Sequence, residues 1–277
     1  MALRIGFLGA GKMAQAIAKG IISTGMVKAD SVIASSPPQD QLYLDFFKDL
    51  GCGITHRNED VVSSSNVVIV AVKPNVMSNV LQSVKNATTS EKLFISVAMG
   101  IEIRDIREVL RPSDPKIARV MPNTCVSVGE GACAFVASDD PSADTVTKLF
   151  SAVGTCHRLT DESQLDAVTA LSGAGPAYVF SIAEALADGG VKMGLPRVLA
   201  VNLVSQTILG AAKMIQKTGR HTAVLRDEVT SPGGNTIEGL HFLEKSGMRA
   251  ALMGAIEAST IKCRVTNMEL KEQLKGK

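Results

Sequence analysis

Tryptophan is absent from this 277-residue chain, and aromatic residues make up only 4% of it. Its cores must therefore be built from aliphatic side chains, alanine and methionine, which suits parallel sheets and helix packing and argues against an aromatic-rich β-sandwich. The cysteines are few: Cys52, Cys125, Cys133, Cys156 and Cys263. They form no C-x-x-C pair and are odd in number, so they read as reduced, packed thiols in a reducing, cytoplasmic compartment. Charge of either sign is also scarce in blocks. The 29 basic and 27 acidic residues leave a net charge of +2, and no basic run reaches five, so neither nucleic acid nor a membrane surface is implied. The longest apolar stretch, near Val67–Val72, is far too short to span a bilayer, so no membrane insertion is expected. Strand character begins at Leu3, leaving no room for a signal or transit peptide.

What remains is an ordinary globular composition, 45% hydrophobic and 20% charged, in a chain longer than one typical core. Two domains are the expectation. In residues 1–160, strands are predicted at Leu3–Leu8, Ser31–Ala34, Val67–Val72, Leu93–Val97 and Ile117–Val120, with shorter ones near Ala132–Val136 and Thr155–Arg158. Helices are predicted at Lys12–Thr24, Gln39–Leu50, Val76–Lys85, Ile103–Leu110 and Ser142–Val153. This alternation predicts an α/β, Rossmann-type doubly wound parallel sheet covered on both faces. In residues 161–277 strand-like runs vanish. Ala, Gly, Met and Leu dominate Ala177–Met193, Arg197–Gln216, Ile237–Lys245 and Ala250–Asn267, which predicts an all-helical C-terminal domain with part of its apolar surface covered by a second copy.

The motifs give these domains a chemistry. Gly9, Gly11 and Ala14 form G-x-G-x-x-A directly after an aliphatic strand and before an amphipathic helix. Gly9 supplies the turn, Gly11 leaves room for a pyrophosphate, and the amides at the helix start face the anion. The second strand ends Ala34-Ser35-Ser36-Pro37-Pro38, without the acid that binds a ribose 2′-OH in NAD-binding folds. Hydroxyls there favour NADPH, with NADH as the alternative; the serines also suit an ordinary turn before the prolines, and no arginine adjoins them. Lys73, at the end of the Val67–Val72 run, serves either as a ligand contact or as a surface cation.

Three glycine-rich stretches mark the second domain. The one around Gly189, Gly190, Gly194 and Pro196 reads as a helix stop followed by a helix start. Leu171-Ser172-Gly173-Ala174-Gly175-Pro176-Ala177 is the second. The third, Ser231-Pro232-Gly233-Gly234-Asn235-Thr236, precedes an amphipathic helix. Its converging amides make a receptor for a small carboxylate, with the Ser231 and Thr236 hydroxyls as further donors; its plain reading is a loop with Asn235 or Thr236 as a cap. His157, His221 and His241 have no partnered spacing, and no metal or nucleophile motif is present, so the chemistry falls to a bound cofactor.

In order along the chain, G-A-G-K-M-A, A-S-S-P, A-V-K-P, L-S-G-A-G-P-A-Y, A-D-G-G-V-K-M-G-L-P and S-P-G-G-N-T resemble the pyrroline-5-carboxylate reductase family. The resemblance implies NAD(P)H-dependent reduction of the C=N bond of L-1-pyrroline-5-carboxylate to L-proline, the last step of proline synthesis. It also implies a helical dimerisation domain, often in a pentamer of dimers. By motif, the cofactor would contact Gly9, Ala10, Gly11, Lys12, Met13, Ser36, Asn58 after a short third strand, Ala71, Val72, Lys73 and Pro74. Val97, Ala98 and Met99 would line the nicotinamide. The substrate carboxylate would sit on Ser231, Gly233, Gly234 and Asn235, supplied across the dimer, with the Thr236 hydroxyl on the ring nitrogen as the catalytic contact and Glu162 nearby. The sequence departs from the family at Ala174, where many members carry serine. Pro122 and Asn235 stand at positions that vary. The alternatives are a β-hydroxyacid dehydrogenase-like enzyme using Lys192, and a non-catalytic NADPH-binding regulator.

Overall fold

Short runs of Val, Ile and Leu become strands here because side chains on both faces of the sheet are buried. The computed structural model describes residues 3–275. Its strands are β1 (Ile5–Leu8), β2 (Val32–Ser35), β3 (Gly53–Thr55), β4 (Val67–Val70), β5 (Leu93–Ser96), β6 (Lys116–Met121), β7 (Gly131–Ala137) and β8 (Gly154–Arg158). Between them lie α1 (Lys12–Ser23), α2 (Gln41–Asp49), α3 (Asn58–Ser64), α4 (Pro74–Val84), α5 (Ile103–Leu110) and α6 (Asp140–Ser151).

They form one eight-stranded sheet in the order β3-β2-β1-β4-β5-β6-β7-β8. The strands from β3 to β6 are parallel, with Ile5 opposite both Val32 and Val67. Side chains alternate between two cores. Ile5, Phe7, Val67 and Ile69 join Ile17 and Ile21 of α1, Phe47 of α2 and Phe150 of α6 on one face. Leu8, Val68 and Val70 join Val61 of α3, Leu81 of α4 and Ile106 of α5 on the other. The doubly wound architecture holds. One edge differs from a wholly parallel sheet: β7 runs antiparallel to β6, and β8 follows β7. Only a short 3-10 turn, Thr124–Val128, links β6 to β7, whereas a parallel partner needs a crossover of a dozen residues or more.

After β8 the chain is helical: α7 (Leu165–Val168), a π-helical turn (Thr169–Gly173), α8 (Gly175–Lys192), α9 (Arg197–Thr218), α10 (Thr222–Glu228), α11 (Asn235–Lys245) and α12 (Met248–Lys275). Two compact units result. One holds the chain up to Ala174 together with its end from Ala258; the other is Gly175–Glu257. In the second unit Gly189 and Gly190 lie inside α8, so the helix stop is Gly194, in the left-handed region at φ +100°, and Pro196 is the N-cap of α9. The short helices α3 and α10 have too few turns to show a periodicity in the sequence. α10 is nonetheless well begun, because His221 Nδ1 accepts from the Ala223 amide.

Candidate functional site

The carboxyl ends of five adjacent parallel strands carry the residues that the sequence assigned to a nucleotide. Strand order reverses between β1 and β4, the position where open α/β sheets bind ligands. The ladder continues one step past the strands and ties the loops together: Ser36 N donates to Thr55 O (3.4 Å), Gly9 N to Ser35 O (3.0 Å), Ala71 N to Leu8 O (2.8 Å) and Val97 N to Val70 O (3.1 Å). Gly9, Ser36, Ala71 and Val97 are thus held along one rim.

Gly9 has φ +95°, and a Cβ there would lie 2.7 Å from the Ala71 carbonyl oxygen, so only glycine makes this turn without strain. A Cβ on Gly11 would meet nothing within 4 Å. That open space lies at the N-cap of α1, where no side chain caps the helix. The free amides of Lys12, Met13 and Ala14 and the space above them fit a pyrophosphate. Ala10 is buried beneath this turn. Lys73 is the N-cap of α4 and Pro74 its first residue, which places an exposed ammonium group beside the rim. Ala98 is buried after β5, flanked by the half-buried Val97 and Met99.

The two serines after β2 have separate fates. Ser35 is wholly buried, and its hydroxyl donates to Asn58 Oδ1 (2.7 Å), whose Nδ2 donates in turn to Ser83 (3.0 Å). Ser35 therefore positions Asn58 and has no proton left for a ligand. Ser36 makes no side-chain hydrogen bond among the described residues, although the residue is only 7% exposed.

In the helical unit, the 231–236 loop ends at Gly234, the N-cap of α11, and no side chain caps that helix either. The expectation that Asn235 or Thr236 caps it is not met; both lie inside its first turn. Gly233 takes φ +67°, and the Gly234 amide donates to Ser231 O (3.2 Å). The remaining first-turn amides and the Thr236 hydroxyl form an uncommitted donor set, suited to a small anion.

Glu162 lies in the other unit, on a cavity of about 230 Å³ that it shares with Arg119, Asp166, Arg264 and Asn267. Its Oε1 accepts from the Ile103 amide (2.9 Å) and from Arg119 Nη1 (2.6 Å). Arg119 is nearly sealed in β6 at 6% side-chain exposure, and its Nε has no hydrogen-bond partner among the described residues. Sequence reasoning passed over Arg119. The signal was there, since a lone arginine in the aliphatic run Ile117–Val120 has to find a counter-charge when the strand is buried. Lys192 sits exposed in the last turn of α8.

Known proteins are similar to this chain over nearly all of its length. Residues 162–265 match the family described as pyrroline-5-carboxylate reductase dimerisation, and residues 4–100 match the family described as NADP oxidoreductase, coenzyme F420-dependent. The chain is 44% identical to a pyrroline-5-carboxylate reductase of Arabidopsis thaliana over 264 residues, 94% of each chain. It is 43% identical to pyrroline-5-carboxylate reductase 3 of Mus musculus over 271 residues, 97% of each. Among solved structures, a pyrroline carboxylate reductase of Plasmodium falciparum with NADP bound superposes with a TM-score of 0.85 at 34% identity, covering 96% of this chain and 98% of the other. The Coxiella burnetii pyrroline-5-carboxylate reductase gives 0.87 at 33%, covering 98% and 99%.

Proposed function

Because the chain belongs to the pyrroline-5-carboxylate reductase family, we propose that it reduces L-1-pyrroline-5-carboxylate to L-proline with NADPH. The observation that carries this reading is the pair of uncapped helix starts, at α1 and α11, each behind a glycine turn. The first suits a dinucleotide pyrophosphate, the second a small carboxylate. When bound, the reduced nicotinamide supplies hydride. Behind the Gly9–Gly11 turn, the Lys12, Met13 and Ala14 amides would hold the pyrophosphate and Ser36 and Asn58 the ribose, with Lys73 and Pro74 on the other side and Val97 to Met99 lining the nicotinamide.

The 231–236 loop, supplied by a second copy, holds the substrate carboxylate and so fixes the ring. Thr236 touches the ring nitrogen. That nitrogen is positive in the protonated imine and neutral in the amine that hydride transfer forms, so a carboxylate beside it would favour the ground state; a neutral hydroxyl does not. Glu162 is kept at a distance from that role by Arg119, which draws off its charge, while its Oε2 has no protein partner among the described residues. No histidine or lysine needs to serve as acid, since the imine takes its proton from water.

The functional division falls at residues 160/161, supported by the start of the dimerisation match at 162. The helical unit's exposed apolar faces support a homo-oligomer, with a pentamer of dimers as the fuller assembly. α9 is long and apolar enough, at a mean hydropathy of 1.5, to cross a membrane. Its polar positions Asn202, Ser205, Gln206 and Lys213 suit a protein partner better than lipid. Five free thiols support a reducing, cytoplasmic setting. Spectrophotometric NADPH oxidation tests the reading. Turnover with pyrroline-5-carboxylate, and none with 2-hydroxy or 2-keto acids, is expected; the reverse would point to the dehydrogenase-like alternative.

A further inference from the structure

The 2′-phosphate that separates NADPH from NADH carries nearly two negative charges at neutral pH, yet the end of β2 offers only one uncommitted hydroxyl, that of Ser36. The charge comes from the neighbouring strand. β3 pairs in parallel with β2, Thr55 opposite Ser35, and Ser36 N donates to Thr55 O. The chain therefore leaves both strands at the same end of the sheet, and the residues after Thr55 are His56, Arg57 and Asn58.

His56 is bound to the Ser36 loop, its Nδ1 lying 2.8 Å from the Ser36 carbonyl oxygen. A carbonyl can only accept, so Nδ1 carries the proton, and in the neutral ring Nε2 has none to give. His56 thus fixes the loop, and the standing positive charge is that of Arg57. The Arg57 side chain is 73% exposed and has one ionic contact among the described residues, Nε to Asp60 Oδ1 at 3.8 Å, too long for a hydrogen bond and too exposed to be strong. Asp60 is itself held by the Thr55 hydroxyl at 2.9 Å. The Arg57 Nη groups carry no partner among the described residues.

We propose that Arg57, brought beside Ser36 by the β2–β3 pairing, is the residue that reads the 2′-phosphate and sets the preference for NADPH. A guanidinium presents two parallel donors to a phosphate. Asp60 approaches only the Nε side of that fork and leaves the outer nitrogens uncommitted. The proposal rests on the NADPH reading above and deepens it.

The test is equilibrium binding by calorimetry, with adenosine 2′,5′-bisphosphate and adenosine 5′-monophosphate as probes, on the wild type, Arg57→Ala and Arg57→Lys. The wild type is expected to prefer the bisphosphate. Arg57→Ala should weaken bisphosphate binding about tenfold or more, the scale of a charge-assisted hydrogen-bond pair, and leave the monophosphate within about twofold. Arg57→Lys should fall between. A wild type that prefers the bisphosphate, with an alanine variant that prefers it equally, overturns the role of Arg57 and leaves the NADPH reading standing. A wild type indifferent to the 2′-phosphate overturns both, while imine turnover with either nucleotide would still report on the enzyme assignment.

Discussion

The two units are built from similar proportions of apolar residue, yet one conceals them and the other displays them. β1, β4 and β5 are buried at every position. In the helical unit, the 18-residue α8 buries only Ala187, the 22-residue α9 only Ala200, and α11 nothing. Phe180 is 67% exposed and Phe242 68%. A sheet with helices on both faces closes its own core, whereas these helices leave most of their apolar side chains uncovered within one chain. The difference teaches that the first unit closes its core within one chain, while the second presents the apolar surface expected of a unit matched to a dimerisation family.

The sharpest way to break that comparison is to put charge on α9. Leu199 and Leu203 lie one turn apart on one face and are about half exposed. Replacing both by aspartate is expected to leave monomers in sedimentation analysis and to lower imine reduction about a hundredfold or more, since a desolvated charge at an interface costs several kcal/mol. Binding of NADPH, a property of the complete unit, should change by less than about threefold. A variant that stays oligomeric would show that this face is not covered by a copy. The converse experiment lies at Gly9. A Gly9→Ala change forces φ +95° on a Cβ that meets the Ala71 carbonyl. It is expected to cost about 1–3 kcal/mol of stability and to abolish tight NADPH binding in fluorescence titration, with the oligomer intact.

What was readable in advance follows the same boundary. The strands Val67–Val70 and Leu93–Ser96 declare themselves because parallel strands buried on both faces are aliphatic without interruption, and α5, Ile103–Leu110, because its apolar residues repeat at helical spacing. The reversal of β7 does not declare itself, since an antiparallel edge strand has the same composition as a parallel one; only the brevity of the link from β6 betrays it. In the helical unit the helices were legible but their partner surface was readable only as an excess of apolar residues. In the candidate site, local glycine turns could be seen from spacing. The tie of Ser35 to Asn58 and of His56 to the Ser36 loop could not, because residues 23 and 20 positions apart meet there through sheet register; nor could the coupling of Glu162 to Arg119, 43 positions apart, where a turn beyond β8 meets β6.

A change at Thr236 tests chemistry apart from assembly within the second unit. Thr236→Ala removes a hydroxyl from the first turn of α11 without touching its apolar face. It should lower kcat about tenfold, the scale of one positioned donor, with sedimentation and NADPH binding as in the wild type. Unchanged steady-state kinetics would discard the contact with the ring nitrogen.

The smallest expected effect tests whether the sheet unit is self-sufficient. Asp139 is the N-cap of α6 and accepts from the Ser142 amide at 2.8 Å. Partial burial pushes its carboxyl up, but the hydrogen bonds from Ser142 and Ser138 and the charge of Lys116 outweigh this and hold it below the ordinary aspartate value. A lowered folded value means that the ionised cap stabilises the fold above the unfolded pKa, about 3.9, and that the gain is lost as pH falls through the lowered value. Asp139→Ala should therefore cost about 1 kcal/mol at neutral pH, a melting shift of about 2–4 °C, and the gap should close in acid. Because α6 packs only within the complete unit, that gap should not depend on protein concentration under conditions where the Leu199/Leu203 variant melts as a monomer. A gap that grew on dilution would mean that the sheet, too, leans on its partner.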